Sequence, residues 1–390
     1  MITITLKAGR DKPVRTGHPW IFSGAIARVE GKASAAGELC TVLSGSGAVL
    51  GCGYYNPASS ISVRMLSLGT EKFTLETLLR RIDLAALRRR NLSLHDGDSY
   101  RLVNSEGDFL PGLVVDKYGA GLCIQVLTAG MELFRDSIIS HLAQTLKPDF
   151  IFERSDTDAR VREGLALKNG LVYGIMPERT VLKENGLCFG IDLCDGQKTG
   201  FFLDQRCNRL LSSHYAENAS VCDCFAYSGG FSVYALSHGA KLVHAVDVSG
   251  KALETAARNL ELNGLPSEKV SLIEEDVFTF LRRTETSYDM IILDPPKFAK
   301  HPGEVERASR GYKDINLLAF KRAAPEGIVF TFSCSNAIEP RLFRQIVFSA
   351  ATDSGRRIQV LHVLSAAPDH PVNIAHLEGE YLKGLALRVE

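Results

Sequence analysis

The sequence predicts an α/β protein whose C-terminal half is a doubly wound, mostly parallel sheet, preceded by two smaller β-containing segments. Its 390 residues are more than one small core needs. From about residue 184, apolar β-rich runs alternate with helical runs, which is typical of a parallel Rossmann-like sheet. Before that point, shorter strand-like runs are broken by Gly and Pro turns. We therefore expect three domains, over 1–68, 69–183 and 184–390.

Residues 1–68 predict a small all-β barrel. The runs ITITLKA, ELCTVL and SISVRML alternate apolar and polar residues, and glycine-rich segments such as GSGAVLGCGYYNP separate them. Seven basic residues stand against three acidic ones here. The predicted barrel is therefore positively charged.

Residues 69–183 predict a small α+β domain. A helix from about Phe73 to Leu94 has an apolar stripe and a basic face at Arg88, Arg89 and Arg90. Strand-like runs follow, then the helical run MELFRDSIISHLAQTLK, then the strands FIFERSD and LVYGIM. Strands on both sides of a helix favour an α+β arrangement.

Residues 184–390 supply the parallel sheet. Its predicted strands are SVCDCFAY, LVHAVDV, VSLIEED, YDMIILDPP and GIVFTFSCS, with helices such as SGKALETAARNLELNG between them. Two later runs, RRIQVLHVLSAA and EYLKGLALRV, predict edge strands that form an antiparallel hairpin.

Composition excludes several classes of protein. The N-terminus is charged where a signal peptide is apolar, and no stretch approaches a membrane span, so we expect a cytoplasmic protein without a membrane partner. Nine cysteines without a CxxC pair indicate reduced thiols and no metal site. Lys plus Arg and Asp plus Glu each number 45, a balance that at first disfavours a nucleic-acid partner.

Polar residues at the predicted strand ends indicate a ligand site, because ligands of such sheets bind beyond the carboxyl ends of the strands. The first strand ends at Asp223 before a glycine turn, the second at Asp247, the third at Asp276 and the fourth at Asp294. The candidate cofactor residues are Asp223, Phe225, Ala226, Tyr227, Ser228, Gly229, Asp247, Val248, Ser249, Asp276, Val277 and Asp294.

The cofactor predicted by these strand ends is S-adenosylmethionine. The segment lacks both GxGxxG and a P-loop, which favours a nucleoside without phosphates. Asp247 would take the ribose, Asp276 and Val277 the adenine, and the turn at 223–230 the methionine part. The preceding segment GQKTGFFLDQR adds Phe202, Asp204 and Arg206, with Lys198 and Phe201 nearby; a packed strand with two core aromatics is the alternative.

Cys334 is the candidate nucleophile. It follows the fifth strand, at the ligand-bearing edge, opposite Asp294 at the end of the neighbouring strand. A cysteine elsewhere is more often a small buried hydrophobe, but a thiol beside an acid at this edge fits covalent catalysis.

The chain resembles the ribosomal large-subunit methyltransferase I family, which joins a PUA domain, a middle domain and a class I S-adenosylmethionine-dependent methyltransferase domain. The matching segments are GHPWIFSGAI, DFLPGLVVDKYG, GQKTGFFLDQR, DCFAYSGGFSVYA, LDPPKFA, RGYKDIN, FSCS and HPVNIAHLEGEYLKGLALRV. The resemblance implies methylation of cytosine C5 in 23S rRNA, with the Cys334 thiolate adding to C6 and Asp294 assisting at N3. Pro296 stands where many such enzymes carry a second Cys, so the base that removes the C5 proton is unidentified.

Two other functions stay open at this point. Asp294-Pro295-Pro296 followed by Phe298 also resembles the pattern of N-methyltransferases, which would act on guanine without Cys334 and stack the base on the aromatic ring. A chain of another class would be a PUA-containing RNA-binding or ribosome assembly protein that does not catalyse.

RNA contacts are expected at two basic segments. Residues 297–322 carry seven basic residues against three acidic ones, beside the proposed base pocket. The predicted partner is 23S rRNA, free or in the assembling large subunit, and the sequence does not decide between a monomer and a homodimer. The candidate RNA contacts are Pro295, Pro296, Lys297, Phe298, Arg310, Lys313, Lys7 and Arg15.

Overall fold

A computed structural model describes residues 2–31, 35–92, 97–194, 200–299 and 301–390. The chain divides into two compact units. The first comprises 1–182, 191–203 and 368–379, and the second comprises 183–190, 204–367 and 380–390. The expected boundaries at 68 and 183 stay predictions.

A six-stranded sheet begins the first unit, in the order β2-β6-β5-β4-β1-β3. Its buried residues Ile2, Ile4 and Leu6 alternate with half-buried threonines, as the period-two pattern predicts. The all-β prediction for this segment is confirmed. The elements are β1 (Ile2–Leu6), α1 (Lys12–Arg15), β2 (Trp20–Phe22), β3 (Ile26–Glu30), β4 (Glu38–Leu43), β5 (Val49–Tyr55) and β6 (Ile61–Leu68).

A five-stranded sheet follows in the same unit, in the order β11-β10-β9-β8-β7. The first helix of this segment, α2, begins after Thr74, whose hydroxyl accepts from the Thr77 amide (3.2 Å), and ends at Arg90 rather than at Leu94. The elements are α2 (Leu75–Arg90), β7 (Tyr100–Asn104), β8 (Leu113–Tyr118), β9 (Gly121–Val126), α3 (Ala129–Leu133), α4 (Arg135–Leu146), β10 (Phe150–Ser155), α5 (Asp158–Arg162) and β11 (Lys168–Gly174).

The two sheets of the first unit share a hydrophobic core. Tyr54 of β5 and Leu66 of β6 belong to the same buried cluster as Leu78 and Ile82 of α2. The Tyr54 hydroxyl also donates to the Pro111 carbonyl at 2.8 Å. This shared burial explains why the first two predicted domains form one compact unit.

A two-stranded sheet, β12 (Thr180–Glu184) with β13 (Leu187–Ile191), precedes the large sheet of the second unit. The large sheet has seven strands in the order β16-β15-β14-β17-β18-β20-β19. Its strands are β14 (Ser220–Cys224), β15 (Leu242–Asp247), β16 (Val270–Glu274), β17 (Tyr288–Leu293), β18 (Ala323–Ser333), β19 (Ile358–Ser365) and β20 (Lys383–Val389). Its helices are α6 (Arg206–Ser213), α7 (Gly230–Ser237), α8 (Gly250–Leu262), α9 (Val277–Arg283), α10 (Val305–Arg322) and α11 (Pro340–Ser354).

The predicted doubly wound sheet with a terminal antiparallel hairpin is confirmed. Strands β14 to β18 are mutually parallel, and β20 is antiparallel to both β18 and β19. One detail differs from the expectation: β20 lies inside the sheet, and of the hairpin only β19 is an edge strand. Burial explains the order, because β20 is almost wholly buried whereas Val363 of β19 is 77% exposed.

The strand order reverses at β14, which lies between β15 and β17. A crevice outside the carboxyl ends of the strands forms at such a reversal, and it is the usual ligand site of this class of sheet. None of the described helices is long and apolar enough to cross a membrane.

Candidate active site

The turn after β14 has an unusual backbone. Phe225 (φ +61°) and Tyr227 (φ +48°) both adopt left-handed conformations, which cost a non-glycine residue about 1 kcal/mol each. The Ala226 amide fixes the turn by donating to the Val246 carbonyl of β15 at 3.0 Å. At Gly229 a Cβ atom would lie 2.9 Å from that of Ala256, so glycine allows α8 to approach the turn.

Asp247 organises the ends of β14 and β15. One of its carboxylate oxygens accepts from the Tyr227 amide and the other from the Ser249 amide, both at 2.9 Å. Each oxygen keeps a further lone pair, so the carboxylate can still accept hydroxyl donors. Ser249 in turn caps α8 by accepting from the Ala252 amide, and Val248 is 66% exposed beside them. This geometry fits the predicted ribose contact.

Asp223 is buried beneath the same turn. Its Oδ2 accepts from the Ser232 amide (3.0 Å) and the Ser232 hydroxyl (2.6 Å), which anchors α7. Burial is the main cause that raises the pKa of Asp223 to about 7; the charges of Asp294 and Asp247 act in the same direction and the Ser232 hydrogen bonds oppose them. Three carboxyl groups thus meet at one edge of the sheet. The carboxylates of Asp247 and Asp294 suit a cationic ligand such as the sulfonium of S-adenosylmethionine, so the residues present fit that cofactor.

Asp276, at the end of the third predicted strand, has a structural role. Oδ1 of Asp276 accepts from the amide (2.9 Å) and hydroxyl (3.0 Å) of Thr279 and so caps α9. The Val277 side chain is fully buried in the core. If Val277 contacts a cofactor, its backbone makes that contact; the adenine assignments stay predictions.

Cys334 and the Asp294 segment lie together at the ends of β17 and β18. These strands are parallel neighbours in which Leu293 pairs with Thr331. The Sγ atom of Cys334 lies 4.0 Å from the carbonyl oxygen of Pro295. Both Cys334 and Asp294 are half-buried, so each keeps part of its surface exposed.

A buried hydroxyl network supports the segment around Cys334. Ser333 Oγ donates to the Tyr312 hydroxyl at 3.0 Å, and that hydroxyl lies 3.2 Å from Ser335 Oγ. Ser335 Oγ also accepts from the Ala299 amide at 3.3 Å. Burial raises the pKa of Tyr312, so this hydroxyl stays protonated. The network links helix α10, the Asp294 loop and the residues that flank the thiol.

Lys383 is a residue of the site that sequence reasoning missed. It lies on β20 opposite Ser333, and its Nζ donates to the carbonyl oxygens of Ser335 (2.7 Å) and Ile338 (2.6 Å). The residue is 7% exposed. Burial lowers its pKa to about 8, while the charge of Cys334 acts in the opposite direction. The available signal was one lysine inside the apolar run EYLKGLALRV.

Phe298 packs within an aromatic cluster. Its ring centroid lies 4.7 Å from that of Tyr312, 6.2 Å from Phe278 and 6.4 Å from Phe225. The side chain is half-buried against the core. The expected stacking of an RNA base on this ring stays a prediction, and the observed contacts give the ring a packing role.

The described residues of the GQKTGFFLDQR segment are largely buried. Residues 195–199, including Lys198, lie outside the described residues. Phe201 is 4% exposed and Phe202 is half-buried. Asp204 Oδ2 accepts from the Tyr381 hydroxyl at 2.5 Å, and the Asp204 carbonyl accepts from the Ala367 amide at 2.9 Å. These contacts fit the packed-segment alternative.

Arg206 belongs to a buried ion-pair network centred on Glu184. Its Nε lies 3.3 Å from Glu184 Oε2, and Arg209 donates to both carboxylate oxygens at 2.8 and 2.9 Å. The Tyr234 hydroxyl adds a fourth donor at 3.0 Å. The cofactor roles of Phe202, Asp204 and Arg206 stay predictions, and the geometry gives Asp204 and Arg206 structural partners.

The candidate RNA-binding cations have local partners. Lys7 Nζ donates to the Gly24 carbonyl at 2.9 Å, and Arg15 pairs with Asp11 at 2.6 Å. Arg310 pairs with Glu306, and Lys313 lies 2.7 Å from Asp353. Exposed ion pairs contribute little energy, so phosphates can still compete for these cations. Pro296 and Lys297 are exposed, whereas Pro295 is buried.

Comparison with known proteins agrees with this geometry. Residues 4–68 match the family profile of a PUA-like domain, and residues 171–371 match that of an S-adenosylmethionine-dependent methyltransferase. "Ribosomal RNA large subunit methyltransferase I" of Tolumonas auensis is 44% identical over 99% of both chains. The protein of that name from Escherichia coli O139:H28 is 42% identical over 100% of this chain and 99% of its own.

Solved structures agree in fold. A chain described as a methyltransferase from Streptococcus mutans superposes with a TM-score of 0.85 at 22% identity, covering 100% of both chains. A methyltransferase crystallised with SAH gives a TM-score of 0.86, also at 22% identity and full coverage of both.

Fold and site together define an S-adenosylmethionine-dependent methyltransferase with an N-terminal PUA-like domain. The chain belongs to the ribosomal RNA large subunit methyltransferase I family.

Proposed function

We propose that this protein methylates carbon 5 of a cytosine in large-subunit ribosomal RNA, with Cys334 as nucleophile and Asp294 assisting at N3. The relatives that match it end to end are named for methylation of ribosomal RNA of the large subunit. The observation that carries the proposal is the 4.0 Å separation between Cys334 Sγ and the Pro295 carbonyl oxygen. It supports a thiol and the carboxyl of Asp294 facing one substrate base.

Cys334 would supply the covalent step. Its thiolate adds to C6 of the cytosine, which makes C5 nucleophilic; after methylation, loss of the C5 proton expels the thiolate and restores the ring. Bound S-adenosylmethionine supplies the electrophilic methyl group. Asp294 would hold N3 through a hydrogen bond as charge develops on the ring.

Lys383 would favour the reactive form of Cys334. Its ammonium donates to the carbonyl of Ser335, the residue after Cys334, and is stabilised by the negative charge of the Cys334 thiolate. A fixed positive charge stabilises a thiolate. Tyr312, Ser333 and Ser335 would hold the segment that carries the thiol in place.

Asp247 and Asp223 would serve the cofactor. The two amide donors on Asp247 fix its carboxylate at the crevice, where its remaining lone pairs can accept ribose hydroxyls. Asp223 shapes the turn beside it by anchoring α7. We further propose a cytoplasmic protein that binds ribosomal RNA either free or in an assembling subunit.

A methyl-transfer assay tests the proposed function. Undermethylated 23S rRNA is incubated with labelled S-adenosylmethionine, and the labelled nucleoside is identified for the wild type and for Cys334→Ala. We expect 5-methylcytidine from the wild type and no turnover from Cys334→Ala, with cofactor binding retained. Cys194→Ala is the matched control, since this cysteine is exposed and belongs to the first unit, whereas Cys334 belongs to the second. A base-N-methylated guanosine, or full activity of Cys334→Ala, would overturn the proposal.

A further inference from the structure

A polar cleft lies within the first unit. Its volume is about 280 Å³, and its walls are helix α2 and the turn that follows β7. Arg80, Arg81, Leu84 and Arg88 come from α2, at spacings that place them on one helix face. Phe109 and Asp108 come from the turn.

The arginines of this cleft differ in how they are held. Arg81 donates to the Phe109 carbonyl at 2.8 Å and lies over the Phe73 ring at 5.3 Å, so its guanidinium is fixed. Arg80 is exposed and, within the described ranges, has no carboxylate in ion-pair contact. The Arg88 side chain is 56% exposed. Two cationic side chains therefore remain available to a ligand.

The acidic residues of the wall do not cancel this charge. Asp108 lies 3.9 Å from Arg88, but each of its two oxygens already accepts a 2.6 Å bond from Arg89. Glu71 lines the cleft too and acts on Arg81. With Asp108 satisfied by Arg89, three guanidinium groups face one further carboxylate. The cleft therefore favours an anion.

Phe109 adds an aromatic surface under backbone strain. Its φ of +60° and ψ of +31° are left-handed, which costs about 1 kcal/mol in a residue with a side chain. The residue is nevertheless 49% exposed, so burial in the core does not compensate for the strain. A strained, half-exposed aromatic beside three arginines indicates a surface kept for binding.

We propose that this cleft binds a single-stranded segment of the RNA substrate, with a phosphate between Arg80 and Arg88 and an unpaired base on Phe109. Guanidinium groups bind phosphate oxygens in paired hydrogen bonds, and aromatic rings stack on any base. Such contacts set the register of the RNA without reading its sequence. This inference rests on the proposed function, because it assumes that RNA is the substrate.

The experiment compares Arg80→Gln/Arg88→Gln with Arg90→Gln/Arg162→Gln. The control pair removes the same charge from exposed arginines of the same unit that do not line the cleft. Binding of a single-stranded RNA oligonucleotide is followed by fluorescence anisotropy over a range of salt concentrations. KM and kcat for 23S rRNA are measured in parallel.

For the cleft variant we expect KM to rise on the order of tenfold with kcat unchanged at saturating RNA. Each phosphate neutralised on a single strand contributes about 0.7 to the salt slope, so loss of the one phosphate bound between Arg80 and Arg88 should lower the slope by about 0.7. Phe109→Leu should weaken RNA binding, whereas Phe109→Trp should retain it. Leucine and tryptophan must both adopt the same left-handed backbone conformation, but only tryptophan can stack on a base.

Failure of the cleft proposal and failure of the proposed function give different results. If the wild type methylates RNA while the cleft variant matches the control in affinity, KM and salt slope, the cleft is not an RNA site. If the wild type methylates no RNA, the proposed function fails. Oligonucleotide binding then decides the cleft separately, and equal affinities for both variants would overturn it as well.

Discussion

The ammonium of Lys383 is bonded at 2.7 Å to the carbonyl oxygen of Ser335, the residue that follows the candidate nucleophile. The lysine is almost completely buried, and burial lowers its pKa to about 8. A positive charge of this kind, held by two carbonyl groups beside a thiol, makes the thiol easier to ionise.

Replacing Lys383 should therefore reduce the reactivity of Cys334. Below about pH 8 the lysine is charged and favours the thiolate; above that pH it loses its proton and the effect fades. We expect Lys383→Met to slow alkylation of Cys334 by iodoacetamide about tenfold at pH 7. Peptide mass spectrometry measures the rate, with the exposed Cys194 as internal reference.

Lys383→Arg provides the matched variant. Its guanidinium keeps its charge above pH 8, so fast alkylation of Cys334 should persist there. In the wild type, the effect of Lys383 on Cys334 should decline over the same pH range. Equal alkylation rates in Lys383→Met and the wild type at every pH would show that Lys383 does not act on the thiol.

The buried carboxyl of Asp223 predicts a pH-dependent stability difference. Because its pKa is raised to about 7, this carboxyl contributes stability in acid that is lost as the pH rises through 7. Asp223→Asn keeps the acceptor for Ser232 but does not ionise. Its melting temperature relative to the wild type should therefore be higher at pH 8 than at pH 5, as measured by calorimetry.

Asp289 offers a control, because its pKa is shifted in the opposite direction to that of Asp223. Burial opposes its ionisation, but hydrogen bonds from Ser220 and Lys241 prevail and leave its pKa lowered. Asp289→Asn should therefore cost more stability at pH 8 than in acid. A pH trend of the same sign in both variants would contradict the assignment for Asp223.

The hydroxyl of Tyr312 should matter for both stability and turnover. Tyr312→Phe leaves the buried hydroxyls of Ser333 and Ser335 without their shared partner, at a cost of about 1 to 2 kcal/mol. Tyr288→Phe is the control, because it loses a buried hydroxyl bonded to His244 at 2.8 Å instead. Both variants should lose stability in denaturant titrations, but only Tyr312→Phe should lower kcat. An equal effect on kcat would remove Tyr312 from the site.

Glu184 should be essential to the fold of the second unit. Glu184→Gln removes the carboxylate charge that the buried guanidinium groups of Arg206 and Arg209 contact, which should destabilise by about 3 to 5 kcal/mol. Thermal unfolding measures the effect. If Arg206 is structural, adding Arg206→Met to Glu184→Gln should cost less than Arg206→Met costs alone. Additive costs would mean that Arg206 acts elsewhere.

Local signals predicted much of this structure. Each strand of the large sheet up to β18 is an apolar run that ends at a polar or glycine cluster, and the parallel arrangement then brings Asp223, Asp247 and Asp294 to one edge. The 4.0 Å approach of Cys334 to Pro295 follows from the same logic, because β17 and β18 are neighbours.

The remaining features depend on contacts between residues distant in the chain. Lys383 was missed because periodicity does not say that β20 lies between β18 and β19, against Ser333. The charge excess counted over 297–322 overlooked Asp353 of α11, which pairs with Lys313. Likewise, no local pattern indicates that Phe298 packs on Tyr312.

The most direct test of the central claim is to trap the covalent adduct. RNA carrying 5-fluorocytosine allows the thiolate to add to C6 and the methyl group to be transferred, but elimination stalls because fluorine replaces the C5 proton. We predict a stable protein–RNA complex that depends on S-adenosylmethionine, with the nucleotide attached to Cys334 by peptide mass spectrometry and no complex from Cys334→Ala. Active enzyme that forms no adduct, or forms it at another residue, would contradict the account.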